Sequence, residues 1–278
     1  MISRTCPTKE GRIAILEGPG RGDPPCLLFL HGNSSCKEVF QRQLDSDLSE
    51  SFHLIAVDLP GHGQSDPARN PQQTYTASGY ATVIKELIEQ LGLSKLVIIG
   101  WSLGGAIALE LFDQLPQLRG ILLTGSPPTE LSHEGFQRAF RPLDPEILQS
   151  FSSRTLSEAQ AVHFAKGGGY DGTEETRWAL EAVKRCDGLA RECFAQAIQD
   201  NRAGRDGARI VETSEVPIAV VGGEDDYLIN WDYVRSLKYK KLWRNKVYLL
   251  PGLTHCLMLE DPVRFNALVA RFSEEVMV

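Results

Sequence analysis

The chain has 278 residues, 42% hydrophobic and 23% charged, the balance of an ordinary globular protein able to bury a core without disulfide or metal staples. Disordered, collagen-like and coiled-coil classes are excluded. Twenty-nine Lys and Arg against 36 Asp and Glu give a net charge of −7, which argues against nucleic acid and anionic membrane surfaces as partners.

The chain opens MISRTCPTKEGRIAILEG, where polar residues and Pro7 interrupt any apolar stretch long enough for a signal-peptide core. No window approaches the roughly 20 apolar residues of a membrane helix, so a cytoplasmic location is expected. The six cysteines (Cys6, Cys26, Cys36, Cys186, Cys193 and Cys256) form no CxxC pair and no zinc-ligand spacing. They read as small buried hydrophobes, and no metal is expected.

An edge-like strand is predicted over residues 12–18 (RIAILEG). Six apolar runs follow: CLLFL (26–30), HLIAVDL (53–59), KLVIIG (95–100), GILLTG (120–125), PIAVVGG (217–223) and KVYLL (246–250). Each is nearly continuous rather than alternating, as suits strands of a parallel sheet covered on both faces. Between them, Val83, Ile84, Leu87, Ile88 and Leu91 recur at helical spacing and Gly92 supplies a C-terminal cap. Pro262 opens a last helix that carries Phe265, Leu268, Val269 and Phe272 on one face. Strands alternating with helices predict an α/β fold.

One interval breaks this rhythm. Between Gly125 and Pro217 roughly ninety residues pass without a strand-like run, far more than an ordinary crossover needs. TLSE (155–158) is read there as a capping box before an apolar face at Ala161, Val162 and Ala165, with a second helix around Trp178, Leu180 and Val183. GGG (167–169) and NRAGRDGAR (201–209) read as flexible loops. The expected division is a core of residues 1–126 and 211–278, with residues 127–210 forming a helical cap over the carboxyl edge of the sheet.

Gly100-Trp101-Ser102-Leu103-Gly104 matches GxSxG, and it stands between a buried strand and the helix-forming run LGGAIALELF, the context a nucleophile elbow requires. A serine hydroxyl needs a general base to become a nucleophile, and the base needs an acid to fix its tautomer. In the chain order Ser, acid, His, the base is His255 in the loop PGLTHC. His53, His133 and His163 read otherwise as surface or capping residues, His62 as a hydrogen-bonding member of a Gly-rich turn, and His31 as structural. The acid lies in GGEDDYLIN, where the third residue after Gly223 is Asp226; its neighbour Asp225 is the alternative. For the oxyanion, the expected donors are the N–H groups of Leu103 and Asn33, the latter in HGNSS (31–35).

HGNSS, DLPGHGQS, GWSLGG, the GGEDD loop and the TH near the end together resemble the α/β-hydrolase superfamily over nearly the whole chain outside the insertion. More closely, HGNSS, LPGHGQS, GWSLGG, RGILLTGSPP and PIAVV resemble the α/β-hydrolase type of N-acyl homoserine lactonase. The resemblance implies a mostly parallel sheet flanked by helices, with a helical cap inserted after the sixth strand. It also implies hydrolysis of a carboxylic ester or lactone through a Ser102 acyl-enzyme, without cofactor. Two departures stand out: those lactonases carry Glu where this chain has Asp226, and their cap tyrosine has Phe164, beside His163, as its nearest counterpart. His163, Phe164 and Trp101 are accordingly the expected substrate contacts.

Ser102 separates the chain from related dehalogenases and epoxide hydrolases, which place Asp at the elbow. General carboxylesterases and carbon-carbon bond hydrolases remain alternatives, the latter because Arg138, Arg141 or Arg177 offers a positive charge to an anionic substrate. A non-catalytic small-molecule receptor that retains the three residues is the alternative from a different class. The expected partner is a small ester or lactone; sequence leaves the oligomeric state open.

Overall fold

Leu27 and Phe29 pack on one face of a central sheet, Leu28 and Leu30 on the other, and all four are fully buried. Leu54 and Ala56 against Ile55 and Val57, and Val97 and Ile99 against Leu96 and Ile98, repeat this alternation. A strand buried on both faces keeps apolar side chains at every position, which is why these runs are continuous. The structure is a computed structural model and describes residues 1–19 and 25–277.

Eight strands, β1 (Ile2–Thr8), β2 (Gly11–Glu17), β3 (Cys26–Leu30), β4 (His53–Val57), β5 (Leu96–Trp101), β6 (Leu118–Thr124), β7 (Ile218–Gly223) and β8 (Leu242–Leu250), form one sheet. Their order is β1-β2-β4-β3-β5-β6-β7-β8. β2 runs antiparallel to β1 and β4; the remaining pairs are parallel. Sequence reading missed β1 and so misplaced the edge, because β1 buries only Cys6 and shows no apolar run. Its register, Ile2 opposite Glu17 to Thr8 opposite Gly11, comes from a hairpin, and Arg4 grips Glu17 at 2.8 Å across it.

On one face lie the helices Ala77–Gln90 and Leu103–Glu110. Thr76 caps the first by accepting the Gly79 N–H, and Gly92 ends it at φ 64°. On the other face Phe265, Val269 and Phe272 of the helix Pro262–Val276 are fully buried.

Six helices separate β6 from β7: His133–Ala139, Pro145–Ser150, Glu158–Gly167, Arg177–Arg185, Gly188–Gln199 and Gly207–Thr213. The capping box of the third is Ser157 with Gln160, two residues beyond the expected TLSE, because Ser157 presents its hydroxyl to the third helical N–H and Gln160 answers its backbone. NRAGRDGAR is only partly a loop. Asp206 accepts the N–H groups of Ala208 and Arg209 and starts the helix Gly207–Thr213, which runs through the expected domain boundary at residue 210.

Candidate active site

Ser102 follows directly on β5 and adopts φ 53° and ψ −118°, a conformation that non-glycine residues rarely hold. The turn is fixed from both sides: its N–H donates to Thr124 O on β6 at 3.0 Å, and its carbonyl accepts the Gly105 N–H at 3.0 Å. A side chain at Gly104 would overlap the carbonyl of Leu30, so the tight approach of the helix to β3 requires glycine. Leu103 is the first helical residue, and its N–H therefore has no intrahelical acceptor.

His255 and Asp226 come from the loops after β8 and β7. Their side chains meet with Nδ1 2.8 Å from Oδ2, the imidazole 6% and the carboxylate 0% exposed. The second oxygen of Asp226 accepts the Leu228 N–H at 2.9 Å, so both carboxylate oxygens are engaged. Trp101 holds the same loop from below: its indole N–H donates to His255 O at 2.9 Å. Gly125 leaves room for the ring, since a Cβ there would stand 2.8 Å from Cε1 of His255.

The loop after β3 carries Asn33. His31 anchors it, fully buried, with Nδ1 2.7 Å from Gly32 O and Nε2 accepting the Leu59 N–H at 3.1 Å. One nitrogen must donate and the other accept, so the ring is neutral, and burial pushes its pKa well below the ordinary histidine value. His62, also buried, places Nδ1 3.0 Å from Pro60 O within its Gly-rich turn. Both match their structural readings.

An open cleft brings together Ser102, His255, Asn33, Trp101, His163 and Phe164. Phe164 packs on Phe151 with ring centroids 4.8 Å apart, and His163 lies exposed. Ile147, Phe151, Tyr227 and Leu228 also border the cleft and were not singled out from sequence. Tyr227 had a signal, its place directly after Asp226; Ile147, in the six-residue helix Pro145–Ser150, and Phe151, just after it, carry none, because so short a helix shows no apolar period. Arg138 and Arg177 instead face solvent beside Glu130, Glu134, Glu174 and Glu181, and none of the three arginines expected to meet an anionic substrate borders the cleft. Cys36, Glu38 and Asp58 group their ligand atoms within 4.8 Å, but the buried Lys37 ammonium lies 2.9 Å from Glu38 and 2.8 Å from Asp58 and supplies the positive charge there.

The profile of the alpha/beta hydrolase family matches residues 27–268. The chain belongs to the alpha/beta hydrolase family. Its eight-stranded, mostly parallel sheet is that family's fold, and membership places it among hydrolases. Among solved structures, the chain is similar to the N-acyl homoserine lactonase AidH complexed with N-butanoyl homoserine: identity is 34%, the TM-score 0.90, and the match covers 98% of this chain and 96% of that one. AB hydrolase superfamily protein YisY of Bacillus subtilis (strain 168) is 26% identical over 278 residues, covering 96% of this chain and 97% of YisY. The pimeloyl-[acyl-carrier protein] methyl ester esterase of Nitrosospira multiformis is 26% identical over 266 residues, covering 91% and 95%. No helix among the described residues is long and apolar enough to cross a membrane.

Proposed function

We propose that this alpha/beta hydrolase is a serine hydrolase of carboxylic esters whose favoured substrates are lactones of the N-acyl homoserine type. The observation that carries the reading is the buried His255–Asp226 pair, whose imidazole borders the same cleft as Ser102 on its strained elbow. In this reading Ser102 Oγ attacks the ester carbonyl while His255 Nε2 takes its proton. Asp226 holds the Nδ1–H tautomer and stabilises the imidazolium. The N–H groups of Leu103 and Asn33 receive the oxyanion, each worth roughly a hundredfold to a thousandfold in rate. His255 then returns the proton to the leaving alkoxide, and a water, deprotonated by His255, hydrolyses the Ser102 ester. In a lactone the alkoxide stays tethered to the acyl-enzyme.

The preference for lactones rests on the similarity to AidH and on the apolar border formed by Ile147, Phe151, Phe164 and Leu228, which suits an acyl chain. The helices between β6 and β7 act as the cap, and we place its end before the helix Gly207–Thr213. Ranking kcat/KM over N-acyl homoserine lactones, macrolide lactones, aryl esters and a vinylogous diketo acid tests the reading. Acyl homoserine lactones are expected to lead. Aryl esters leading would make the chain a general carboxylesterase, and turnover of the diketo acid alone would make it a carbon-carbon bond hydrolase.

A further inference from the structure

Arg191, on the helix Gly188–Gln199, is 3% exposed, yet among the described residues no carboxylate lies within ion-pair distance of it. A buried guanidinium is costly unless its N–H groups are taken up, and here neutral oxygens take them. Nε donates to Ser153 O at 2.8 Å and Nη2 to Arg154 O at 3.2 Å, both in the segment leading to the helix Glu158–Gly167. Nη1 reaches out of the insertion altogether and donates to Ser34 Oγ at 3.0 Å, in the loop after β3. Ser34 in turn donates its hydroxyl proton to Asn33 Oδ1 at 3.0 Å.

Ser34 has φ 56°, a left-handed conformation that a residue with a Cβ holds only when its surroundings compensate. Its hydroxyl is engaged on three sides: it accepts from Arg191, donates to Asn33 Oδ1, and lies 3.6 Å from Cys186 Sγ, a weaker acceptor for the same proton. With Ser34 in that conformation the turn closes by the Ser35 N–H donating to Gly32 O at 3.3 Å, the carbonyl of the same peptide that carries the Asn33 N–H, and Gly32 lies so close to Ser102 that a Cβ on it would stand 3.0 Å from the serine Cβ. Position in such a site matters, because a misplacement of about 1 Å can cost about a hundredfold in rate.

We propose that Arg191 is a positioning residue for the oxyanion hole: the insertion reaches through Ser34 to hold the Asn33 N–H where the developing oxyanion will sit. This rests on the serine hydrolase reading. It differs from a charge that binds substrate, because Arg191 does not border the cleft.

The test uses Arg191→Met, Arg191→Lys, Ser34→Ala and the Arg191→Met/Ser34→Ala double variant, each assayed on a neutral aryl ester and followed by thermal unfolding. Arg191→Met and Ser34→Ala are each expected to lower kcat about tenfold or more with KM changed less than about threefold, Arg191→Lys to recover part of the loss, and the double variant to be no worse than about twofold below the poorer single one. Affinity for a trifluoromethyl ketone, which forms the oxyanion on the enzyme, should fall in parallel with kcat. Ser34→Ala deletes one hydroxyl and decides the matter if Arg191→Met does not fold. A folded Ser34→Ala protein with wild-type kcat, losses that multiply in the double variant, or a loss confined to KM would overturn the proposal. Ser102→Ala in the same assay separates the two levels: if it retains turnover, the serine hydrolase reading itself fails.

Discussion

Oδ2 of Asp226 lies 2.8 Å from Nδ1 of His255, while Asp225, one residue earlier, is exposed and bound to the loop through its backbone N–H to Leu253 O. The two adjacent carboxylates thus differ in which of them meets the imidazole. Asp226→Asn keeps the shape but favours the wrong tautomer, so kcat is predicted to fall at least about a hundredfold, and Asp225→Asn less than about tenfold. Asp226→Glu should retain more activity than Asp226→Asn, provided the longer side chain still reaches Nδ1. Steady-state kinetics of the three folded variants check this; a larger loss in Asp225→Asn would assign the acid role to Asp225.

Gly125 stands at φ 54°, and an added Cβ would meet the His255 ring at 2.8 Å from Cε1 and Trp101 at 3.3 Å from Cδ1. Gly125→Ala is predicted to tilt the imidazole and lower kcat about tenfold or more. Gly92→Ala is the control for backbone strain alone: φ is 64°, but open space surrounds the new methyl, at the far end of a helix. It should lose stability, by about 1 kcal/mol, and no activity. Equal kcat in both variants would show that the space around His255 is not limiting.

Much of the layout was legible because burial leaves a direct mark on composition. β3 to β7 lie between two packed layers and show unbroken apolar runs, and the elbow needs glycines at fixed offsets from Ser102. β1 was not legible, since its partner across the hairpin holds it and Cys6 alone of its residues is buried. The cleft was half legible. Residues tied to strand ends, Ser102, Asn33, Asp226 and His255, follow from chain order, whereas Ile147, Phe151 and the Arg191–Ser34 link depend on how helices far apart in sequence fold over one another.

His31 adds a dependence of stability on pH. Its folded-state pKa is depressed by burial, while in the unfolded chain it returns to about 6.5, so the unfolded state binds the proton first. Its contribution is complete above about pH 6.5 and declines as pH falls, by up to about 1.4 kcal/mol per pH unit until the folded pKa is reached. Urea unfolding at pH 7.5, 6 and 5 should therefore show a steeper decline for wild type than for His31→Gln. Parallel declines would contradict a neutral, buried imidazole at this position.

If Ser102 is the group that becomes acylated, it must also be the group that an active-site-directed phosphonylating reagent modifies. Treating the active protein with a fluorophosphonate and locating the adduct by peptide mass spectrometry tests it most directly. Rapid, stoichiometric labelling is expected on the peptide containing Ser102, with loss of ester hydrolysis in step with labelling and no adduct in a folded Ser102→Ala variant. A folded, hydrolytically active protein that stays unlabelled at Ser102, or that keeps its turnover once Ser102 is labelled, would contradict it.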